Sequence, residues 1–239
     1  GFAEYFYVRP GGFIFKAPGG ITDEALAPAN CALSQVIYAM DRANIKLGDA
    51  VVVQGAGGLG LYAVAAAKDM GAGLVISIDG SEGRLEMAEK CGADHTININ
   101  DLTRSQDRID RVKEITGNRN GADIAVEVVG FPEVVPEGLE MLCNGGTYVE
   151  VGNIWPGSNA TIDMQKIVFK MITMIGTAHY DPYILPVALD FLDRTKDKYP
   201  LTNVVSHSYP LEDISKAFTD AEWVGKKETG QLTRAIVLP

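Results

Sequence analysis

The ten residues Val51-Val52-Val53-Gln54-Gly55-Ala56-Gly57-Gly58-Leu59-Gly60 constrain this chain more than any other stretch. The valines read as a buried strand, and the alanine-rich run over 58–70 reads as a helix ended by Gly71. Between strand and helix, Gly55, Gly57 and Gly60 form a G-x-G-x-x-G pattern, and that context makes the pattern informative. Gly55 permits the tight turn, Gly57 lets a pyrophosphate approach the backbone, and Gly60 lets the helix lie close to the sheet. The first amides of the helix, those of Gly58 and Leu59 among them, are then available to phosphate oxygens. A tight turn without a ligand is the plainer reading of the same glycines.

Asp79 favours the ligand. It stands at the end of the next predicted strand, nineteen positions after Gly60. A carboxylate there accepts hydrogen bonds from the adenosine ribose and repels a 2′-phosphate, which selects NAD over NADP. Capping of the following helix is the alternative role for Asp79. Arg84, one helical turn on, can cover the ribose or adenine, or stand as a solvated surface charge.

Strands over 50–54, 74–78, 96–99, 122–129, 146–151 and 171–177 alternate with helices over 58–70, 82–90, 105–116 and 132–143 and a short one near 164–169. The strands are apolar nearly throughout, the mark of a parallel sheet covered on both faces. The fold class is therefore α/β, a doubly wound six-stranded parallel sheet of Rossmann type over 34–178. The front piece, 1–33, reads as strands over 2–8 and 13–16 and the start of a helix running from 23 to about 43. The back piece, 179–239, reads as a helix after Pro182, another over 211–218 and a closing strand over 234–238. Neither piece has the apolar content for its own core, so both are read as one further domain whose end strands meet. Open α/β sheets bind ligands at the carboxyl ends of their strands. That rule adds Val128, Val129 and Gly130, then Val151, Gly152 and Asn153, then Thr177, Ala178 and His179 as candidate nicotinamide contacts. Ordinary strand-end turns are the alternative at each.

Twenty-one basic residues stand against 31 acidic ones, a net charge of −10 that disfavours nucleic acid or an anionic membrane as partner. No apolar run reaches the roughly 18 residues of a membrane span. Cys31, Cys91 and Cys143 are scattered and odd in number, which fits a reducing compartment rather than a disulfide framework. With no basic-then-apolar leader in view, a cytoplasmic location is expected. Cys91 and Cys143 read as packed small hydrophobes at helix ends. His95 and His207 read as structural or surface residues.

With these residues in hand, the chain resembles the zinc-dependent medium-chain alcohol dehydrogenase family, including its polyol and threonine dehydrogenase branches. The resemblance runs along residues 1–8, Asn30-Cys31-Ala32-Leu33-Ser34, and Lys46-Leu47-Gly48-Asp49 with the glycine loop. It continues through Gly92-Ala93-Asp94, Gly121-Ala122-Asp123 with Glu127 and Gly130, and Gly145-Gly146-Thr147 with Val151-Gly152. It closes on Arg234-Ala235-Ile236-Val237. It implies hydride transfer between a small-molecule alcohol and NAD, with Arg234 reaching the cofactor phosphates. It implies a sheet inserted in a β-rich GroES-like catalytic domain, of which this chain holds a remnant, and a homodimer or homotetramer. Cys31 matches the family's last catalytic zinc ligand. The earlier ligands, a Cys and a His-Glu pair, precede the matched stretch, so zinc is expected only in an intact family member and no catalytic residue is assigned here. Two other readings stand: a zinc-free quinone-reductase-like oxidoreductase, opposed by Cys31 and Asp79, and a non-catalytic nucleotide-binding protein.

Overall fold

In a computed structural model of the chain, residues 2–221 and 234–239 are described; Gly1 of the front motif and residues 222–233 of the back piece lie outside them. The chain enters through helix α1 (Asp23–Leu26), a π-helical turn (Ala29–Leu33) and helix α2 (Ser34–Ala43). Then follow β1 (Ala50–Gln54), α3 (Gly58–Asp69), β2 (Leu74–Asp79), α4 (Glu82–Lys90), β3 (His95–Asn98) and α5 (Ser105–Thr116). The second half holds β4 (Ala122–Glu127), α6 (Val134–Met141), β5 (Leu142–Glu150), α7 (Met164–Lys170) and β6 (Thr173–Gly176). Helix α8 (Ile184–Thr195), β7 (His207–Pro210), α9 (Ile214–Ala221) and β8 (Ala235–Leu238) complete it.

The first six strands form one parallel sheet in the order β3-β2-β1-β4-β5-β6. After β1 the chain winds outward to β2 and β3, then returns to add β4, β5 and β6 on the other side. Side chains of a strand alternate between its faces. Val51 and Val53 accordingly join one apolar core with Ile37 of α2, Leu61 of α3 and Phe191 of α8. Val52 joins a second core with Ile76, Val112 of α5, Leu139 of α6 and Tyr148. Burial on both faces is why the central strand β1 is apolar up to Gln54, whereas the outer strands β3 and β6 are partly exposed.

Short acidic side chains fix the strand starts. Asp123 accepts from the Ala50 amide at 2.8 Å, and Asp94 accepts from the Val75 amide at 2.7 Å while pairing with Lys68. Helix α8 packs in the same core as α2 and α3, and Arg194 ties it to Asp69 of α3.

Several sequence expectations are corrected. Residues 2–17 form no strand. Tyr5, Phe6, Phe13 and Ile14 are exposed, while Phe2 meets Phe218 of α9 edge-on at 5.6 Å. Strand β8 pairs with β7 instead, His207 opposite Ala235 in a parallel register, and no segment of 2–17 joins that sheet among the described residues. The two chain ends therefore do not pair as strands, and His207 is a strand residue. The helix read from 23 to 43 is broken by the π-helical turn that follows Pro28. Helix α6 stops at Met141, so Cys143 lies in β5 rather than at a helix end.

Candidate functional site

A cleft of about 630 Å³ opens at the carboxyl edge of the sheet, over β1 and β4, where the winding reverses. The glycine loop forms one wall. Gly55 sits at φ +101°, a conformation glycine adopts without steric cost, and its amide donates to Ile78 O at 2.8 Å. A Cβ on Gly60 would lie 1.9 Å from the Gly55 carbonyl oxygen, so α3 can come this close only without a side chain there. A Cβ on Gly57 would meet nothing within 4 Å. The protein itself does not require glycine at 57; the open space beside the loop is what a Cβ would fill. The amides of the first turn of α3, unmatched within the helix, stand at this wall.

Asp79 closes the loop from the next strand. Its Oδ2 accepts from the Ala56 amide at 2.8 Å and its Oδ1 from the Ser81 amide at 2.9 Å. Ser81 is the residue that precedes α4, so Asp79 shapes the entry to that helix as well as lining the cleft. Arg84 Nη1 stands 3.9 Å from Asp79 Oδ2 and lines the same wall. Arg234 and Asp220 also line the cleft. The Arg234 charge reaches Tyr62 of α3, where it partly opposes the upward shift that burial imposes on the phenol.

The structure thus brings Gly55, Gly57, Gly58, Leu59, Asp79, Arg84, Val128, Val129 and Arg234 around one cleft, with Gly60 packed beneath the loop. Four other predicted residues, Gly130, Val151, Gly152 and Asn153, gather at the ends of β4 and β5 about a residue the spacing argument passed over, Glu127. Its Oε1 accepts from the Val129 and Gly130 amides at 2.6 and 2.7 Å. Its Oε2 accepts from the Gly152 amide at 3.1 Å and Asn153 Nδ2 at 3.2 Å. Val151 joins through its amide, which donates to the Glu127 carbonyl at 3.1 Å. Burial, then the neighbouring Glu150, push the Glu127 carboxyl up to about 8. The one sequence signal for it, beyond the motif, was an acid inside an apolar strand.

Thr177, Ala178 and His179 stand apart, beyond β6. Thr177 is buried and its carbonyl accepts from Gln35 Nε2 at 2.7 Å, while Ala178 and His179 are exposed. Cleft residues that sequence reasoning missed include Ile99, Arg108, Phe131, Val134 and Glu137. They come from helices and loops whose apolar or charged character reads as ordinary packing.

Cys31 is exposed on the π-helical turn, next to Asn30, whose Oδ1 accepts from the Tyr180 hydroxyl at 2.9 Å. Among the described residues, no three His, Cys, Asp or Glu side chains converge to hold a metal ion. A catalytic zinc takes about three protein ligands, so these residues do not fit one. Among the described residues, no helix is long and apolar enough to cross a membrane.

The wound sheet, its strand order and the glycine-loop cleft define a Rossmann-like α/β protein of the dehydrogenase type. The sequence pattern of the zinc-binding dehydrogenases matches residues 58–194, more than half of the chain, and the chain belongs to that family. It is 35% identical over 219 residues to 5-exo-hydroxycamphor dehydrogenase of Pseudomonas putida, a match covering 90% of this chain and 60% of that protein. It is 37% identical over 190 residues to erythritol/L-threitol dehydrogenase of Mycolicibacterium smegmatis, covering 79% and 49%. The crystal structure of an alcohol dehydrogenase from Thermotoga maritima superposes with a TM-score of 0.81 at 30% identity, over 92% of this chain and 59% of that one. The chain therefore spans about half to three-fifths of the length of these relatives.

Proposed function

We propose that this chain is the NAD-binding part of an alcohol dehydrogenase, serving hydride transfer between a small alcohol and the nicotinamide. The observation that carries the reading is Asp79, a carboxylate that grips the glycine loop and still lines the cleft. The cleft volume lies in the range of small-molecule sites. The open space at Gly57 and the amides at the start of α3 suit a pyrophosphate.

When bound, NAD supplies the hydride acceptor at its nicotinamide ring. The protein's part is placement. The helix-start amides and Arg234 offset phosphate charge. Asp79 accepts from ribose hydroxyls, and its charge opposes a 2′-phosphate. Val128 and Val129 give an apolar wall that excludes water, and Glu127 ties together the strand ends beside it. Activation of the alcohol is assigned to no residue of this chain. In this reading residues 34–178, together with α8 that packs in the same core, are the nucleotide-binding unit, and 1–33 and the remainder of 179–239 belong with the catalytic domain. The cytoplasm suits three free thiols.

Titration of the protein fluorescence with NADH and NADPH tests the proposal. We expect tighter binding of NADH, and a smaller difference in Asp79→Ser, which also slackens the loop and weakens both. Equal affinities in the unaltered protein would overturn the assignment of Asp79.

A further inference from the structure

We propose that Asn144 is a site of spontaneous covalent modification, where hydrolysis turns the asparagine into aspartate and isoaspartate. The inference goes beyond the nucleotide reading and does not rest on it, since Asn144 lies near the start of β5, at the sheet edge opposite the cleft.

The chain holds two Asn-Gly dipeptides, Asn120-Gly121 and Asn144-Gly145. In this reaction the backbone nitrogen of the following residue attacks the asparagine Cγ. A five-membered succinimide closes and ammonia leaves. Water then opens the ring at one carbonyl or the other, giving aspartate or isoaspartate. The net change is gain of water and loss of ammonia, with no oxidant and no further reactant. A following glycine favours the attack, because no Cβ shields its nitrogen and its dihedrals are free. By sequence the two dipeptides are equals.

The fold separates them. Gly121 is buried at φ +141°, and its amide donates to Thr116 Oγ1 at 2.9 Å. A Cβ on Gly121 would lie 2.5 Å from the Cys143 nitrogen and the Leu142 carbonyl carbon, so its backbone is wedged against the start of β5. Its nitrogen can turn on Asn120 only once that hydrogen bond breaks and the strand start moves away. Asn144 and Gly145 are both exposed. The pairing of β4 with β5 steps from Ala122–Leu142 to Ile124–Thr147, so residues 143–146 bulge opposite Asp123 alone. The Asn144 side-chain amide makes no hydrogen bond among the described residues. A Cβ on Gly145, at φ +79°, would meet nothing within 4 Å. This dipeptide can therefore take the ring-closing geometry without displacing a neighbour. Isoaspartate lengthens the main chain by a methylene, and a bulge already out of register can absorb it. Each conversion adds a negative charge to a chain that carries −10, so an acidic species should accumulate with age.

The experiment holds the full chain at mildly alkaline pH, which promotes loss of the proton from the attacking nitrogen. Cleavage after glutamate puts the two asparagines in separate peptides, within 115–127 and 141–150, and mass spectrometry follows exchange of the amide NH2 for OH. Asn144 should convert at least about tenfold faster than Asn120, the factor set by one hydrogen bond to a packed backbone amide. In guanidinium chloride, with the fold lost, the two rates should converge. No conversion at Asn144, a rate no faster than that of Asn120, or a preference that persists in the unfolded chain overturns the proposal.

Discussion

Gly57 and Gly60 are three residues apart and are glycines for opposite reasons. At Gly60 the constraint is the protein's own backbone, since a Cβ would collide with the Gly55 carbonyl. At Gly57 the backbone has φ −70° and ψ −168°, which any residue adopts, and a Cβ would point into open space. Gly60→Ala should therefore cost about 2–4 kcal/mol, because loop and helix must separate. Gly57→Ala should change stability by no more than about 0.5 kcal/mol. It should nonetheless weaken NADH binding by about tenfold or more, by holding the pyrophosphate off the backbone. Urea melts and fluorescence titration of the two variants check both halves. The sequence pattern alone marks the glycines as a set; separating a packing requirement from a ligand requirement takes the distances.

The ends of β4 and β5 are held by one buried acid. Glu127 gathers four N–H donors across the two strands, and it binds its own proton more tightly than an exposed carboxyl. A carboxyl whose folded pKa is raised favours the fold fully below its ordinary value near 4.5, and that contribution is lost as pH rises toward about 8. Urea midpoints should accordingly fall over that window. Glu127→Gln should flatten the slope, even though its amide cannot accept all four N–H groups and the variant is less stable throughout. An unchanged slope would assign the pH dependence elsewhere. This network also marks how far the sequence could be read. β1, α4 and α5 were legible to the residue, because apolar runs and glycine stops fix their periods and ends. Glu127 was legible as a motif letter, but not as the hub of the cluster, since its partners are mostly backbone amides. Residues 2–17 misled because alternating aromatics promise a strand whatever edge is available. The π-helical turn carrying Cys31 has no sequence signature distinct from the α-helix around it.

At the scale of the molecule, the sheet ends on β6, which has β5 on one side and no strand on the other among the described residues. Met164, Val168, Phe169, Met171 and Met174 are exposed on or beside this edge. An open edge with apolar flanks invites pairing, and a second copy of the chain, joined across a two-fold axis, would close it. Sedimentation at micromolar concentration should show a dimer, and Phe169→Glu should shift it toward monomer. A strict monomer for the unaltered chain would count against this pairing. A different consequence follows from the strand order. Val51 of β1 pairs with Ile124 of β4, a partner far later in the chain, whereas its other neighbour, Val75, comes soon after it. Loop closure favours the nearer partner first. During synthesis the β1-β2-β3 half can assemble while β4 is still absent, and the side of β1 that will later receive β4 is then bare. If the cleft holds the proposed nucleotide, that ligand cannot guide the first stage, because Val128, Val129 and Arg234 complete the cleft from residues made afterwards. Pulsed hydrogen exchange during refolding should protect the β2 amides before those of β4 and β5, and NADH should leave the early phase unaltered while slowing global unfolding.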